Sequence, residues 1–142
     1  MPSRRAPLAL AVVFILLGCA SGGTVNAATS PLPVVQATDN QDGGKITLRR
    51  GQRLRVVLHS TYWEFKAVSE PAVLRLVGEP QVNPKSGCVP GQGCGTVVAT
   101  YVAKAAGSAL VTAERTSCGE AMGCTAAAGR YTLTVTVRGA AR

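Results

Sequence analysis

The chain has 142 residues and a formal net charge of +8, with 15 lysines and arginines, seven acidic residues and only six aromatic residues. The cationic residues are scattered along the sequence, whereas a nucleic-acid groove needs them clustered and interleaved with aromatic side chains. The composition therefore argues against nucleic-acid binding, and the positive charge is better suited to an anionic membrane or envelope polymer.

The first 18 residues have the pattern of a secretory signal peptide. Arg4 and Arg5 precede an uncharged run at residues 6–17, which is shorter than the roughly 20 apolar residues that cross a bilayer. The run ends in Leu16-Leu17-Gly18-Cys19, which resembles the lipobox of bacterial lipoproteins. The resemblance implies cleavage before Cys19, a lipid on its thiol, and anchoring to the bacterial cell membrane on the extracytoplasmic side. The alternative is an ordinary signal peptide with an incidental cysteine.

A flexible tether is predicted after the signal. Residues 19–44 show no helical stripe, and only Val34 and Val35 indicate a short strand. We therefore predict that Cys19 is followed by a tether that continues to residue 44. A coil of this length spans on the order of 25–30 Å, which would hold a folded domain away from the lipid headgroups.

From Lys45 onward, apolar and polar residues alternate with period two, which is typical of strands with one buried face. Glycine, proline or serine bounds each segment, and no segment has a helical pattern. Seven strands are predicted, at residues 45–49, 53–58, 62–67, 73–77, 96–103, 109–114 and 131–138. They predict an all-β domain over residues 45–142, an immunoglobulin-like antiparallel β-sandwich.

Four further cysteines form two pairs of equal spacing, Cys88 with Cys94 and Cys118 with Cys124. Outside the cytoplasm an even number of cysteines indicates disulfides, and four cysteines allow three pairings. The repeated spacing favours two local rings, each of which would stiffen a loop. A four-cysteine zinc site is the alternative, although structural zinc usually takes cysteine pairs that are closer in sequence.

The sequence contains no pattern that indicates an active site. His59 is the only histidine, and no serine or cysteine signature of a nucleophile accompanies it. The glycines around Gly91 are not followed by a predicted helix that would bind phosphate. We therefore predict a protein that is not an enzyme and that requires no metal or cofactor.

The order of the segments carries a family resemblance. An opening strand pair at residues 50–58 is followed by Tyr62-Trp63-Glu64, a glycine-rich loop, Arg115 and a closing strand at residues 131–137. This order resembles the chagasin-like family of cysteine-peptidase inhibitors, immunoglobulin-like sandwiches in which three loops at one end wedge into the cleft of a papain-like peptidase. The resemblance implies three partner-binding loops: loop 1 (residues 59–62), loop 2 (residues 91–95) and loop 3 (residues 115–124). Their candidate contact residues are His59, Ser60, Thr61, Tyr62, Gly91, Gln92, Gly93, Gly95, Arg115, Thr116 and Ser117.

The loop motifs differ from those of the family, and this decides the predicted function. The family's Arg-Pro-Trp is here Arg115 followed by threonine and serine, and the last glycine of its Gly-x-Gly-Gly is Cys94. We therefore predict a membrane-anchored envelope lipoprotein whose stiffened loops bind a protein or glycan partner. The alternative is inhibition of papain-like cysteine peptidases by occlusion of the active-site cleft. Tyr62 and Trp63 are predicted to be packing residues.

Overall fold

The computed structural model describes residues 30–119 and 121–139. A compact unit begins at Pro31. The predicted signal peptide, Cys19 and the first part of the predicted tether lie outside the described residues. Within the described ranges, no helix has the length and apolar character that crossing a membrane requires.

The described residues form two β-sheets and a short hairpin, with a 3-10 turn at Asp39–Gln41. Each of the seven predicted segments contains a strand, and the prediction of an all-β sandwich is confirmed. The short strands β1, β6, β9 and β10 fall outside those seven segments. The strands are β1 (Val35–Thr38), β2 (Gly44–Arg49), β3 (Arg53–His59), β4 (Glu64–Phe65), β5 (Leu74–Leu76), β6 (Gln81–Pro84), β7 (Gly95–Ala103), β8 (Gly107–Glu114), β9 (Ser117–Gly119), β10 (Met122–Gly123) and β11 (Arg130–Arg138).

Two edge strands depart from the predicted antiparallel arrangement. One sheet has the order β1-β3-β7-β5, with β6 also paired to β7, and the other has the order β2-β11-β8-β4. Strand β1 pairs parallel with β3, and β2 pairs parallel with β11. The prediction is wrong at these strands because β2 lies in the other sheet. The chain reverses once after β1 and again after β2, so β3 returns beside β1 in the same direction. The remaining pairs in both sheets are antiparallel.

The predicted boundary between tether and domain is also wrong, because β1 belongs to the folded domain. Ala37 is fully buried in the core. At the change of sheet, the backbone N–H of Thr38 donates to the side chain of Gln41 (2.6 Å), and the Thr38 hydroxyl accepts from the N–H of Asn40 (3.4 Å). These polar residues resemble a linker in the sequence, but they form a capped turn.

The core lies between the two sheets and is built from the alternating apolar residues that the sequence predicted. Leu54, Val56 and Leu58 of β3 face Leu133 and Val135 of β11 across it, and all five are fully buried. Burial of each such side chain stabilises the fold by about 1.5–3 kcal/mol. The remaining members of this core cluster are Ala37, Leu48, Trp63, Leu74, Val97, Ala99, Tyr101, Ala103, Ala109, Val111, Ala113, Tyr131 and Val137.

Two tyrosines in this core have buried hydroxyl groups. Neither Tyr101 nor Tyr131 finds a hydrogen-bond partner for its hydroxyl among the described residues. Burial raises the pKa of both phenols well above the ordinary value, and the carboxylates of Asp42 and Asp39 raise that of Tyr131 further. Both side chains are therefore neutral, and their rings serve as packing groups.

Candidate functional site

Loops 1, 2 and 3 emerge at the same end of the sandwich, which we call the loop end. Strand β3 ends at His59 opposite Thr96 of β7, so loop 1 lies beside loop 2. Strand β8 ends at Glu114 opposite Arg130 of β11, and loop 3 follows directly. The predicted clustering of the three loops therefore follows from strand direction and register.

Loops 1 and 2 are joined by backbone hydrogen bonds and by one aromatic ring. The N–H of Ser60 donates to the carbonyl of Gly95 (2.9 Å), and the N–H of Thr61 donates to that of Gly93 (2.8 Å). The ring of Tyr62 covers Gly93 so closely that a Cβ at this position would overlap it. Ser60 has a backbone φ of 113°, which lies in a region that residues other than glycine rarely adopt. Such strain is common at functional sites.

Trp63 lies in the core beneath the loop end and contacts both loop 1 and loop 3. Its side chain is 8% exposed, and its indole N–H donates to the carbonyl of His59 (3.0 Å). The guanidinium of Arg115 lies 4.4 Å from the centre of the Trp63 ring, and its Nε donates to the carbonyl of Ala128 (3.1 Å). The prediction that Trp63 is a packing residue is confirmed, and Arg115 holds the base of loop 3 against it.

The four cysteines form the two predicted local disulfides. Ring 1 is closed by Cys88 and Cys94, and ring 2 by Cys118 and Cys124. Disulfide bonding excludes the alternative of a four-cysteine zinc site, because the thiolates are no longer available as ligands. Within the described ranges, no other group of three or more candidate ligands is placed to hold a metal.

The two rings lie side by side at the loop end. Cys94 and Gln92 of ring 1 line a shallow cleft of about 360 Å³ together with Cys118, Gly119 and Met122 of ring 2. A Cβ at Gly119 would lie 3.6 Å from the carbonyl oxygen of Gln92. Loops 2 and 3 therefore present one continuous surface, and a disulfide constrains the backbone of each loop.

Each ring also exposes one large apolar side chain, which the sequence analysis did not single out. Val89 of ring 1 is 60% exposed and Met122 of ring 2 is 65% exposed. The sequence could have indicated this exposure, because each residue is apolar and lies between two cysteines of a small glycine-rich ring. Such a ring is too small to have a core in which the side chain could be buried. Solvent-exposed apolar groups on stiff loops are suited to burial by a partner.

His59 orients the start of loop 1 through an acidic partner. Its Nδ1 lies 2.6 Å from a carboxylate oxygen of Asp39, and the same carboxylate accepts from the His59 N–H (3.1 Å). The imidazole is 73% exposed. Asp39 therefore positions both the backbone and the side chain of His59, from the turn where the chain changes sheet.

The predicted site residues differ in where they lie. Ser60, Thr61 and Tyr62 contact loop 2, whereas His59 pairs with Thr96 of β7. Thr116 and Ser117 instead form the base of the β9–β10 hairpin: the carbonyl of Thr116 accepts from the N–H of Cys124 (3.0 Å), and Ser117 pairs with Gly123. Their contribution is to support ring 2. Contact of any of these residues with a partner stays a prediction.

Comparison with known proteins shows similarity in structure only. The chain matches no protein-family model and no curated protein sequence. It is similar to the solution structure of amebosin, with 15% identity, a TM-score of 0.53, and coverage of 75% of this chain and 99% of that one. It is also similar to a cysteine protease inhibitor from Entamoeba histolytica, with 9% identity, a TM-score of 0.53, and coverage of 74% and 95%.

The chain shares the fold of a cysteine protease inhibitor. The resemblance that the sequence predicted is therefore confirmed at the level of the fold. At 9% identity it assigns no role to the loops of this chain.

Proposed function

We propose that this domain inhibits papain-like cysteine peptidases by inserting the loop end into the active-site cleft. The convergence of loops 1, 2 and 3, with rings 1 and 2 side by side, carries the proposal. The shared fold with a cysteine protease inhibitor supports it. These observations favour inhibition over the envelope protein or glycan partner that the sequence analysis placed first.

The proposed mechanism is occlusion by stiff loops. A cleft that binds the loop end would bury Val89 and Met122, and burial of apolar area supplies free energy for binding. The disulfides limit the conformations of both rings before binding, so less conformational entropy is lost when the complex forms. The same constraint keeps the loops from adopting the extended form that a peptidase cleaves.

A titration of residues 31–142 against papain tests the proposal. We expect stoichiometric inhibition that persists on prolonged incubation, with no effect on a trypsin-like serine peptidase. The papain must be activated and then freed of reductant, since a thiol would open the rings as well as protect the enzyme. Absence of inhibition at micromolar protein, or transient inhibition with cleavage of a ring, would overturn the proposal.

We further propose that Cys19 carries the lipid anchor that its lipobox-like context indicates. The full chain expressed in a bacterium is expected in the membrane fraction with its signal peptide removed, whereas the Cys19→Ser variant is expected to carry no lipid and to keep its signal peptide. Mass spectrometry of the wild-type amino terminus should show a diacylglyceryl adduct on Cys19. An unmodified cysteine would contradict the proposal, and an uncleaved Cys19→Ser precursor would be consistent with it.

A further inference from the structure

The positive charge of the domain is concentrated at the end opposite the loop end. Strands β2 and β11 finish there, and β3 begins there. Six exposed cationic side chains occupy this end, which we call the cationic end: Arg49, Arg50, Arg53, Arg75, Lys104 and Arg138.

Backbone hydrogen bonds hold these residues together although they come from four parts of the sequence. The N–H of Arg50 donates to the carbonyl of Arg138 (3.3 Å), which joins the β2–β3 turn to the end of β11. The N–H of Gly51 donates to the carbonyl of Ala103 (2.8 Å), immediately before Lys104. Val102 of β7 pairs with Arg53 of β3 on one side and with Arg75 of β5 on the other, so both arginines lie at the same level of the sheet. The strand pairing therefore fixes the backbone positions of these six residues, so the cationic end forms without any rearrangement of their side chains.

These charges have few acidic neighbours. None of the six forms an ion pair with a described residue. Glu70 lies at this end, since its carbonyl accepts from the N–H of Leu74 at the start of β5. At the loop end, by contrast, Lys66 pairs with Glu64 (3.1 Å) and Glu114 (3.9 Å). The cationic end thus carries an excess of positive charge that attracts anions.

Exposed apolar side chains flank this end where the chain enters the domain. Leu32 is 37% exposed and Val34 is 56% exposed. Between them, the carbonyl of Pro33 accepts from the side-chain amide of Gln52 (3.0 Å), which lies in the turn that carries Arg50 and Arg53. Apolar groups beside several cations match a lipid interface, where the apolar groups enter the acyl boundary and the cations meet anionic headgroups. A soluble polyanion would use the cations alone.

We propose that the cationic end binds the surface of an anionic lipid bilayer and holds the loop end away from it. This inference is independent of the proposed peptidase inhibition and of the proposed lipid on Cys19. It predicts that the unlipidated domain itself recognises anionic membranes. Because the core and the cationic end both lie within residues 31–139, residues 31–142 serve for the test.

Sedimentation with phosphatidylcholine vesicles, prepared with and without phosphatidylglycerol, is the first measurement. We expect binding only to the vesicles that contain phosphatidylglycerol, and a loss of binding as salt is raised, because exposed charges are screened. Absence of binding to the anionic vesicles at low salt would overturn the proposal, as would equal binding to both kinds of vesicle.

Two triple variants with the same loss of charge locate the surface. The Arg49→Gln, Arg50→Gln, Arg53→Gln variant is expected to bind about 100-fold more weakly, at about fivefold per charge. The matched variant Lys66→Gln, Lys85→Gln, Arg130→Gln, at and near the loop end, is expected to stay within about twofold of wild type. Equal losses would contradict a localised surface. If the first variant does not fold, Lys104→Gln with Arg138→Gln tests the same end.

Val34→Ser distinguishes a bilayer from a soluble polyanion. We expect this variant to bind anionic vesicles several-fold more weakly while its binding to inorganic polyphosphate is unchanged. If polyphosphate binds at the cationic end but Val34→Ser leaves vesicle binding unchanged, the surface recognises phosphate charge alone, and the proposal of a lipid interface is overturned.

Discussion

Replacement of Trp63 by alanine is expected to destabilise the domain by about 3–5 kcal/mol, as is typical when a large buried aromatic side chain is removed. The indole ring is 8% exposed and belongs to the core cluster. Its N–H supports the carbonyl of His59, and its face supports Arg115. The substitution therefore leaves a cavity and frees the bases of loops 1 and 3 at the same time.

Thermal and urea unfolding of residues 31–142 measure this effect. For a domain of this size, each kcal/mol lowers Tm by about 4–8 °C, so a large fall is expected. Trp63→Phe is the matched control: it keeps a ring in the core but loses the hydrogen bond to His59, and should cost about 1–2 kcal/mol. Arg115→Gln removes the stacked cation, worth about 0.5–1 kcal/mol, together with the hydrogen bond from Nε to the carbonyl of Ala128, worth about 0.5–1.5 kcal/mol. A Trp63→Ala variant that lost less than about 1 kcal/mol would show that the ring is not a structural support.

The sheets were predictable because their signal is local. Alternation of apolar and polar residues locates a strand without knowledge of its partners, as residues 131–138 show in β11. The β9–β10 hairpin and β6 were not predicted, because these strands are short and lack the alternation of a strand with one buried face. Ala37 was missed for a related reason: one small buried residue among polar neighbours gives no periodic pattern, although it lies in the core.

The site was predictable in outline but not in its contacts. The glycines and cysteines indicated loops and local rings, and the family resemblance placed the loops at one end. Contacts such as Asp39 with His59 or Arg115 with Trp63 join residues far apart in sequence, and only the packing of the two sheets brings them together. Sequence patterns report which face of a strand is buried, whereas these contacts depend on which strands are neighbours.

A double substitution in the rings, Val89→Ser with Met122→Ser, is expected to weaken inhibition of papain by roughly 30- to 1,000-fold. Both side chains are exposed at the loop end, so their replacement costs the free domain little. In a complex that buries them, their loss would remove about 2–4 kcal/mol of binding free energy. Inhibition constants and the unfolding midpoint of the same preparation separate a binding effect from a folding effect.

Val34→Ser with Leu110→Ser is the matched control, since it also replaces two exposed apolar side chains but lies away from the loop end. It should inhibit papain as the wild type does.

If the ring variant also inhibits as well as wild type, the apolar groups of the rings are not the anchors, and the backbone of loops 1 and 2 becomes the remaining source of affinity. In that case Gly93→Ala, whose Cβ would displace the ring of Tyr62, would be the damaging substitution. The two outcomes therefore distinguish a surface whose affinity comes from the side chains of the disulfide rings from one in which the rings only hold the neighbouring backbone in place.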